Sequence, residues 1–136
     1  MYIHETDIRV RYGETDQMGY LYYGNYALYY EVGRAEAMRA LGITYREQEA
    51  EIGVMMPVMY LQCRHLRPAK YDELVRVRSE VRELPTDQMR FFHEIRNEEG
   101  KLLNAGEVKL AFVDRLTGKR CHAPDYLLGK LAPFWQ

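Results

Sequence analysis

Cysteine is scarce in this chain of 136 residues, which contains only Cys63 and Cys121. The two residues form no Cys-x-x-Cys motif and no cysteine framework of the kind that cross-links small secreted proteins. The first residues also lack the cationic tip and the apolar stretch of a secretory signal. We therefore expect a protein of a reducing compartment, with a cytoplasmic location.

An excess of one charge and long apolar runs are missing as well. The 19 basic and 20 acidic residues nearly cancel, which argues against the strong cationic field that nucleic acids or anionic lipids require. The longest uncharged stretch, residues 17–30, falls short of the roughly 18 apolar residues that indicate a transmembrane helix. We expect neither a nucleic-acid partner nor a membrane span.

What the chain does have is enough apolar material for one core. Hydrophobic residues make up 47% of a length typical of one domain, so we predict a single domain over residues 1–136. Five segments alternate between apolar and polar residues, or are apolar and β-branched, as strands do. They cover approximately residues 4–12, 55–66, 75–82, 89–96 and 102–113.

The connections between these segments refine the prediction. Residues 84–87 supply turn chemistry, so the third and fourth segments are expected to form an antiparallel hairpin. Residues 97–100 resemble the next turn. Pro57 cannot donate a ladder hydrogen bond, which predicts an edge position or an irregular start for the second segment.

One long helix is predicted from Asn25 to Leu41, with Asn25 capping its first amides and Gly42 providing a left-handed stop. Its apolar face is wide, which predicts contact with protein on more than one side; the residues that widen it are Leu28, Val32 and Ala35. A short polar helix at residues 44–50 and a last turn or two at residues 125–131 are expected too.

The resulting order is a strand, a buried helix and four mostly antiparallel strands, which is an α+β plan. One helix covers only one face of a five-stranded sheet, and the sheet edges keep unpaired backbone groups. Pairing of two copies edge to edge would satisfy those groups. We expect at least a dimer.

The loop of residues 12–26 has the least ordinary composition, with three glycines, two acids and five tyrosines. It leads into the start of the helix, where free amides and the helix dipole favour an anion and keep a nearby carboxylate ionised. Asp16 is the carboxylate that we select for chemistry. The simpler interpretation, that Asp16 and Asn25 only organise a turn and a cap, is equally open from the spacing.

Three motifs in this region carry a family resemblance: Thr-Asp-x-x-Gly at residues 15–19, Tyr-x-x-x-Tyr at residues 22–26 and Glu-x-x-Arg at residues 31–34. Together they resemble the hotdog-fold acyl-CoA thioesterases of the 4-hydroxybenzoyl-CoA thioesterase and Tol-Pal-associated type. Further similar segments lie at residues 68–69, 96–105, 107–108 and 113–114, so the resemblance spans nearly the whole chain.

The resemblance implies a hotdog fold, in which the five-stranded sheet wraps one long helix, and a homodimer or a homotetramer built as a dimer of dimers. It implies that Asp16 acts as nucleophile or general base, while the backbone amides of Tyr23 and Gly24 bind the carbonyl oxygen. The substrate-binding residues that it suggests are Gly19, Tyr22, Asn25 and Tyr26.

One position departs from the pattern. The Tol-Pal-associated branch has a His directly after the Tyr that matches Tyr22, whereas this chain has Tyr23 and looks more like the hydroxybenzoyl branch there. Asp16 is thus expected to act without that imidazole. For the CoA phosphates, the basic residues flanking the turn at Pro68 are the candidates: Arg64, Arg67 and Lys70.

The remaining candidates have simpler interpretations. The four histidines, His4, His65, His93 and His122, are too dispersed for a metal site and are expected to be packing residues. Cys63 is expected in the core, Glu14 as a solvated turn acid, and Glu31 with Arg34 as a buried structural pair. The tyrosines between residues 20 and 30 could line an acyl pocket or pack between subunits.

We therefore predict an enzyme that hydrolyses acyl-CoA to a carboxylic acid and free CoA, with no metal or other cofactor. Three alternatives stay open. One is a noncatalytic module that binds acyl thioesters or acyl carrier protein, and another is a hotdog dehydratase or hydratase, which would need a His near the acid. The third is a structural partner in an envelope complex.

Overall fold

The computed structural model describes all residues 1–136, and its main element is one antiparallel five-stranded sheet. The strand order is β1-β4-β5-β6-β3, and a separate two-stranded sheet pairs β2 with β7. The strands are β1 Tyr2–Arg9, β2 Val54–Met55, β3 Val58–His65, β4 Leu74–Val81, β5 Gln88–Arg96, β6 Leu102–Ala111 and β7 Val113–Asp114. The helices are α1 Tyr26–Ala40, α2 Tyr45–Glu47 and α3 Asp125–Leu131.

The predicted strands and hairpin are confirmed, with shifted ends that have local causes. β1 stops at Arg9 because residues 12–14 turn into a short 3-10 helix. The second predicted strand divides at Pro57 into β2 and β3, since proline offers no N–H to a ladder. The last predicted strand also divides, because Phe112 separates β6 from β7.

Helix α1 packs along the inner face of the sheet, mainly against β1 and β4. Its buried residues include Tyr26, Tyr29, Tyr30, Gly33, Arg34, Ala37 and Met38. Gly33 is needed for this packing, because a Cβ there would lie 2.7 Å from Ser79 Oγ and 2.7 Å from Val77 Cγ1. Gly42, with φ +88°, ends the helix as predicted.

The predicted wide apolar face of α1 is not covered within one chain. Leu28 is 52% exposed and Val32 is 41% exposed, because the sheet contacts only the opposite side of the helix. That prediction is wrong for the single chain.

The two shorter predicted helices are present. Thr44 accepts a hydrogen bond from the Glu47 amide at 3.1 Å and starts α2, which continues as a π-helical turn over residues 48–52. α3 covers Asp125–Leu131. None of the helices has the length and apolar character of a membrane span.

The core lies between α1 and the sheet, where 23 buried hydrophobic residues form one cluster. The strand order leaves β1 and β3 as the two edges. Seven of the eight residues of β3 are exposed, including an apolar run of Val58, Met59, Tyr60 and Leu61. The edge position predicted for this segment is confirmed.

Candidate active site

Asp16 lies in a tight turn between β1 and α1. Its Oδ1 accepts hydrogen bonds from the amides of Met18 at 2.9 Å and Tyr20 at 3.2 Å. Gly19, with φ +77°, gives the chain the left-handed residue that this turn requires. Asp16 therefore does organise the turn, but it does so with one oxygen, and Oδ2 accepts no hydrogen bond from the protein.

The turn is held against the segment that follows β3. The Leu21 amide donates to the Ala69 carbonyl at 2.8 Å, and the Tyr71 amide donates to the Gly19 carbonyl at 2.9 Å. The Ala69 amide donates to the Tyr26 hydroxyl at 3.3 Å. These hydrogen bonds hold residues 19–26 against residues 69–71, which are distant in the sequence.

A cleft of about 310 Å³ lies between these two parts. The residues that line it are Asp16, Met18, Tyr20, Leu21, Tyr23, Tyr26, His65, Leu66, Arg67 and Pro68. Asp16 also borders a neighbouring depression, which is lined by Tyr12, Thr15, Gln17, Gly19 and Tyr71. Asp16 thus lines both cavities.

The start of α1 is preceded by a 3-10 turn over Tyr23–Asn25. The Asn25 amide donates to the Tyr22 carbonyl at 2.8 Å, whereas the amides of Tyr23 and Gly24 donate to no acceptor in the protein. Two of the free amides expected at a helix start are therefore present beside the cleft that Tyr23 lines.

Asn25 does not cap the helix as predicted. Its side-chain amide donates instead to the Glu14 carbonyl at 2.8 Å, and that carbonyl also accepts from the Tyr22 amide at 2.9 Å. The capping prediction is wrong because the 3-10 turn gives Asn25 a helical backbone, and the carbonyl of Glu14 lies within reach.

Glu14 is not the solvated turn acid that was expected. Its side chain is only 15% exposed, and its Oε1 accepts from the Tyr29 hydroxyl at 2.8 Å and from the Arg11 amide at 2.9 Å. Burial opposes its ionisation, but the bonds from Arg11 and Tyr29 outweigh burial and hold the pKa of the Glu14 carboxyl below its usual range. Glu14 therefore stabilises the loop through its hydrogen bonds with Arg11 and Tyr29.

The predicted substrate-binding residues are distributed unevenly. Tyr26 and Arg67 line the cleft, and Gly19 lines the neighbouring depression. The Tyr22 ring lies over Gly24, where a Cβ would be 2.6 Å from Tyr22 Cε2. Outside the linings of both cavities are Tyr22, Gly24, Asn25, Arg64 and Lys70.

A buried polar cluster adjoins the cleft, and sequence reasoning missed its centre, Asn104. The Asn104 amide group is fully buried and contacts Tyr30 through Oδ1. Its Nδ2 lies 3.1 Å from Cys63 Sγ and 3.3 Å from His65 Nδ1. The one signal for Asn104 in the sequence is a polar residue between the apolar Leu103 and Ala105.

The histidines have different surroundings. His93 is buried, with Nδ1 3.0 Å from Ser79 Oγ and its ring stacked on Tyr30 at 4.7 Å. Burial, with a contribution from Arg34, lowers the pKa of His93 to about 3, so it is a neutral packing residue. His65 lines the cleft instead. No group of three or more His, Cys, Asp or Glu side chains is arranged to hold a metal ion.

The predicted ion pair between Glu31 and Arg34 is absent. Glu31 is exposed, while Arg34 is 6% exposed with no carboxylate within 4.0 Å. The two side chains diverge because the helix directs Arg34 toward the core, next to Tyr45. Burial raises the pKa of Tyr45, and Arg34 opposes that rise.

Known proteins resemble this chain over most of its length. Residues 18–104 match the model of the thioesterase superfamily. The acyl-CoA thioester hydrolase YbgC of Escherichia coli O157:H7 is 30% identical over 123 residues, which cover 90% of this chain and 91% of that protein. The acyl-CoA thioesterase YbgC of Haemophilus influenzae is 30% identical over 107 residues, covering 79% and 78%.

A solved structure gives the same result for the fold. The DHNA-CoA thioesterase of Staphylococcus aureus superimposes with a TM-score of 0.86 at 30% identity, covering 100% of this chain and 97% of that protein. The strand order, the single long helix and the match over residues 18–104 agree with it. The chain is a hotdog-fold member of the thioesterase superfamily.

Proposed function

We propose that this protein hydrolyses acyl-CoA thioesters to a carboxylic acid and free CoA, with residues 1–136 acting as one thioesterase domain. One observation carries the proposal: Asp16 and Tyr23 line the same cleft. One carboxylate oxygen of Asp16 has no hydrogen-bond partner in the protein, and neither does the Tyr23 amide just before α1. The relatives named for acyl-CoA hydrolysis support it.

The chemistry requires two groups, and the cleft and the helix start beside it offer both. Negative charge develops on the carbonyl oxygen when the thioester is attacked, and the amides of Tyr23 and Gly24 are donors for that oxygen. A preorganised donor of this kind stabilises the transition state by about 3 to 4 kcal/mol. Because these donors belong to the backbone of a helix start, they do not have to reorient during the reaction.

Asp16 supplies the second group through its free Oδ2. It either attacks the carbonyl carbon, which gives a mixed anhydride and the CoA thiolate, or accepts a proton from the water that attacks. The first route needs a later water molecule to cleave the anhydride. Both routes leave Oδ1 bound to the turn, so the carboxylate keeps its orientation.

The CoA portion would extend along the wall that follows β3. Arg67 lines the cleft itself, whereas Arg64 and Lys70 lie on the exposed segment around it. Their side chains can approach phosphates without leaving water, so we expect each of them to affect KM more than kcat.

The thioesterase assignment is tested by measuring free thiol release from short-chain, long-chain and aromatic acyl-CoA. Asp16→Asn retains an Oδ1 acceptor for the turn and removes the carboxylate, so its turnover is expected to be lost while its unfolding temperature is kept. Asp87→Asn makes the same change at an exposed carboxylate outside the cleft and is the control. Full activity of Asp16→Asn would refute the catalytic assignment.

A second candidate function has one observation in its favour. A dehydratase or hydratase needs an imidazole and an acid at one site, and His65 lines the cleft together with Asp16. Loss of enoyl absorbance from an enoyl-CoA without thiol release would identify that activity. Binding of acyl-CoA or acyl carrier protein with neither reaction would identify a noncatalytic module.

We also propose a homodimer formed by pairing of the two β3 edges, with a homotetramer as a dimer of dimers through the exposed face of α1. The exposed apolar run Val58–Leu61 supports the first contact, and Leu28 with Val32 supports the second. The β1 edge is less suited, since it is lined by ion pairs such as Arg76 with Asp7 at 2.9 Å.

Light scattering in solution tests this assembly. The double substitution Met59→Lys with Leu61→Lys places two like charges in each of the paired edges and is expected to give monomers. Ile3→Lys makes one comparable change on β1 and is expected to leave the assembly intact. Monomeric wild-type protein would contradict the proposal.

A cytoplasmic location stays a prediction, which fractionation of the native cells would test.

A further inference from the structure

We infer that His65 is a substrate-contacting hydrogen-bond donor of this active site, which presents its Nε2–H to the thioester. The inference rests on the proposed thioester hydrolysis. His65 is the last residue of β3, and it is the one histidine among the residues that line the cleft with Asp16. An imidazole thus reaches the cleft from the wall opposite the Asp16 turn.

Asn104 determines which nitrogen of His65 carries the proton. Asn104 Nδ2 lies 3.3 Å from His65 Nδ1, and an amide nitrogen can donate but cannot accept. His65 Nδ1 is therefore the acceptor, and the proton of the neutral ring is on Nε2. Nε2 itself has no partner in the protein.

The orientation of Asn104 is in turn held from two sides. Its Oδ1 accepts from the Tyr30 hydroxyl, and its Nδ2 also donates to Cys63 Sγ at 3.1 Å. Asn104 and Tyr30 are both fully buried. A group in this position cannot exchange its partners with water, so it imposes one hydrogen-bond pattern on His65.

The His65 ring has a second support in Tyr26. The two rings meet edge to face, with centroids 5.0 Å apart and an interplanar angle of 71°. Tyr26 is buried, and its hydroxyl accepts from the Ala69 amide at 3.3 Å. His65 is therefore positioned by two residues of the protein interior although it lies at the surface of a single chain.

This arrangement suits a donor and does not suit a base. A neutral imidazole with its proton on Nε2 has no lone pair there, so it cannot remove a proton from water. It can donate to the negative charge that develops on the thioester as the carbonyl carbon is attacked. No proton is transferred in this interaction, and the base or nucleophile remains Asp16.

Two substitutions separate these roles in the thiol-release assay. His65→Phe keeps a ring but removes the donor, and it is expected to lower kcat about 10- to 100-fold with little change in KM. His65→Gln retains a terminal amide donor and is expected to recover most of that loss, with a wild-type shape of the pH–rate profile. His122→Phe, the same change at an exposed histidine outside the cleft, is the control.

Two outcomes would overturn the inference. Wild-type kcat in His65→Phe would mean that the ring is only a packing residue. Equal inactivity of His65→Phe and His65→Gln, with loss of one limb of the pH–rate profile, would mean that His65 is a general base. Both variants change an exposed side chain, and their thermal unfolding shows whether the fold is kept.

The tautomer is measured without substrate, by nitrogen-15 NMR of the ring nitrogens in the full-length protein. Wild type is expected to show the ring proton of His65 on Nε2, and Asn104→Asp, which can only accept, is expected to move the proton to Nδ1. A wild-type proton on Nδ1 would overturn the inference. If wild-type protein releases no thiol from any acyl-CoA, the proposed function fails, and the donor role of His65 fails with it. If activity depends on Asp16 but not on His65, only the inference about His65 is refuted.

Discussion

The loop between β1 and α1 holds two carboxylates in opposite situations. Glu14 accepts bonds from Arg11 and Tyr29 and has little exposure. Asp16, two residues later, lines a cleft, uses one oxygen for its turn and leaves the other without a hydrogen-bond partner in the protein. Saturating one acid with donors stabilises the loop, whereas the other acid, which is only half-satisfied, is the one for which we propose a catalytic role.

Substitutions that distinguish the roles of the two Asp16 oxygens should have the largest effect on activity. Asp16→Asn and Asp16→Ala are both expected to lose about 10²- to 10⁴-fold in kcat, because each lacks the carboxylate. Only Asp16→Ala also loses the turn acceptor. Its free energy of unfolding is therefore expected to fall by about 1 to 2 kcal/mol, whereas that of Asp16→Asn is kept. Thiol release and urea unfolding measure the two effects, and equal stability of the two variants would show that Oδ1 does not support the turn.

Glu14→Gln should show the reverse pattern. The neutral amide loses the ion pair with Arg11 while it keeps one oxygen, and the expected cost is about 1 to 3 kcal/mol of unfolding free energy. Activity is expected to fall less than in Asp16→Asn, since the loop moves but the carboxylate that we propose to be catalytic is kept. A loss of activity as large as that of Asp16→Asn, with unchanged stability, would reverse the roles assigned to the two acids.

Acidification should weaken the contribution of Glu14 to the stability of the wild type. The pKa of Glu14 is lowered in the folded state, so its contribution to stability is complete above the unfolded-state pKa of about 4.3. That contribution disappears as the pH falls through the folded-state pKa. The stability difference between wild type and Glu14→Gln is therefore expected to shrink on acidification below about pH 4. Denaturant unfolding over a pH series measures it, and a constant difference would contradict it.

Tyr29→Phe is the mildest test. It removes one donor from Glu14 and leaves the bonds from Arg11, so we expect a loss of about 1 kcal/mol in stability. Thermal unfolding measures the change, and Tyr126→Phe, at an exposed tyrosine of α3, is the control. A stability equal to that of wild type would show that Arg11 alone holds Glu14.

The parts of this structure that sequence reasoning predicted well are local. Strand alternation identified β4 and β5 because buried residues in each alternate with more accessible ones. The Asp16 turn and the start of α1 are consecutive in the chain, so their proximity followed from a short motif. The fold was predicted because the pattern of elements and the family resemblance agree.

What escaped prediction depends on contacts between distant residues. The wall of the cleft at His65 meets the Asp16 turn only after β3 has been placed at the sheet edge. Asn104 and His65 are 39 residues apart in the sequence, and no pattern within either strand indicates their contact. Asn25 was misassigned for a similar reason, since the Glu14 carbonyl that it contacts is 11 residues away.

The close approach of Gly33 to β4 has a consequence for anyone who redesigns this enzyme. Because α1 is one continuous helix, the spacing between Gly33 and the side chains of Val77 and Ser79 also affects where its first turn lies. That turn follows the peptide groups of Tyr23 and Gly24, which we propose as donors to the substrate. A single added methyl group at Gly33 is expected to displace the helix, because its carbon would lie 2.7 Å from both side chains. Variant libraries aimed at new acyl groups should therefore leave this remote glycine untouched, even though it lies outside both cavities that Asp16 lines.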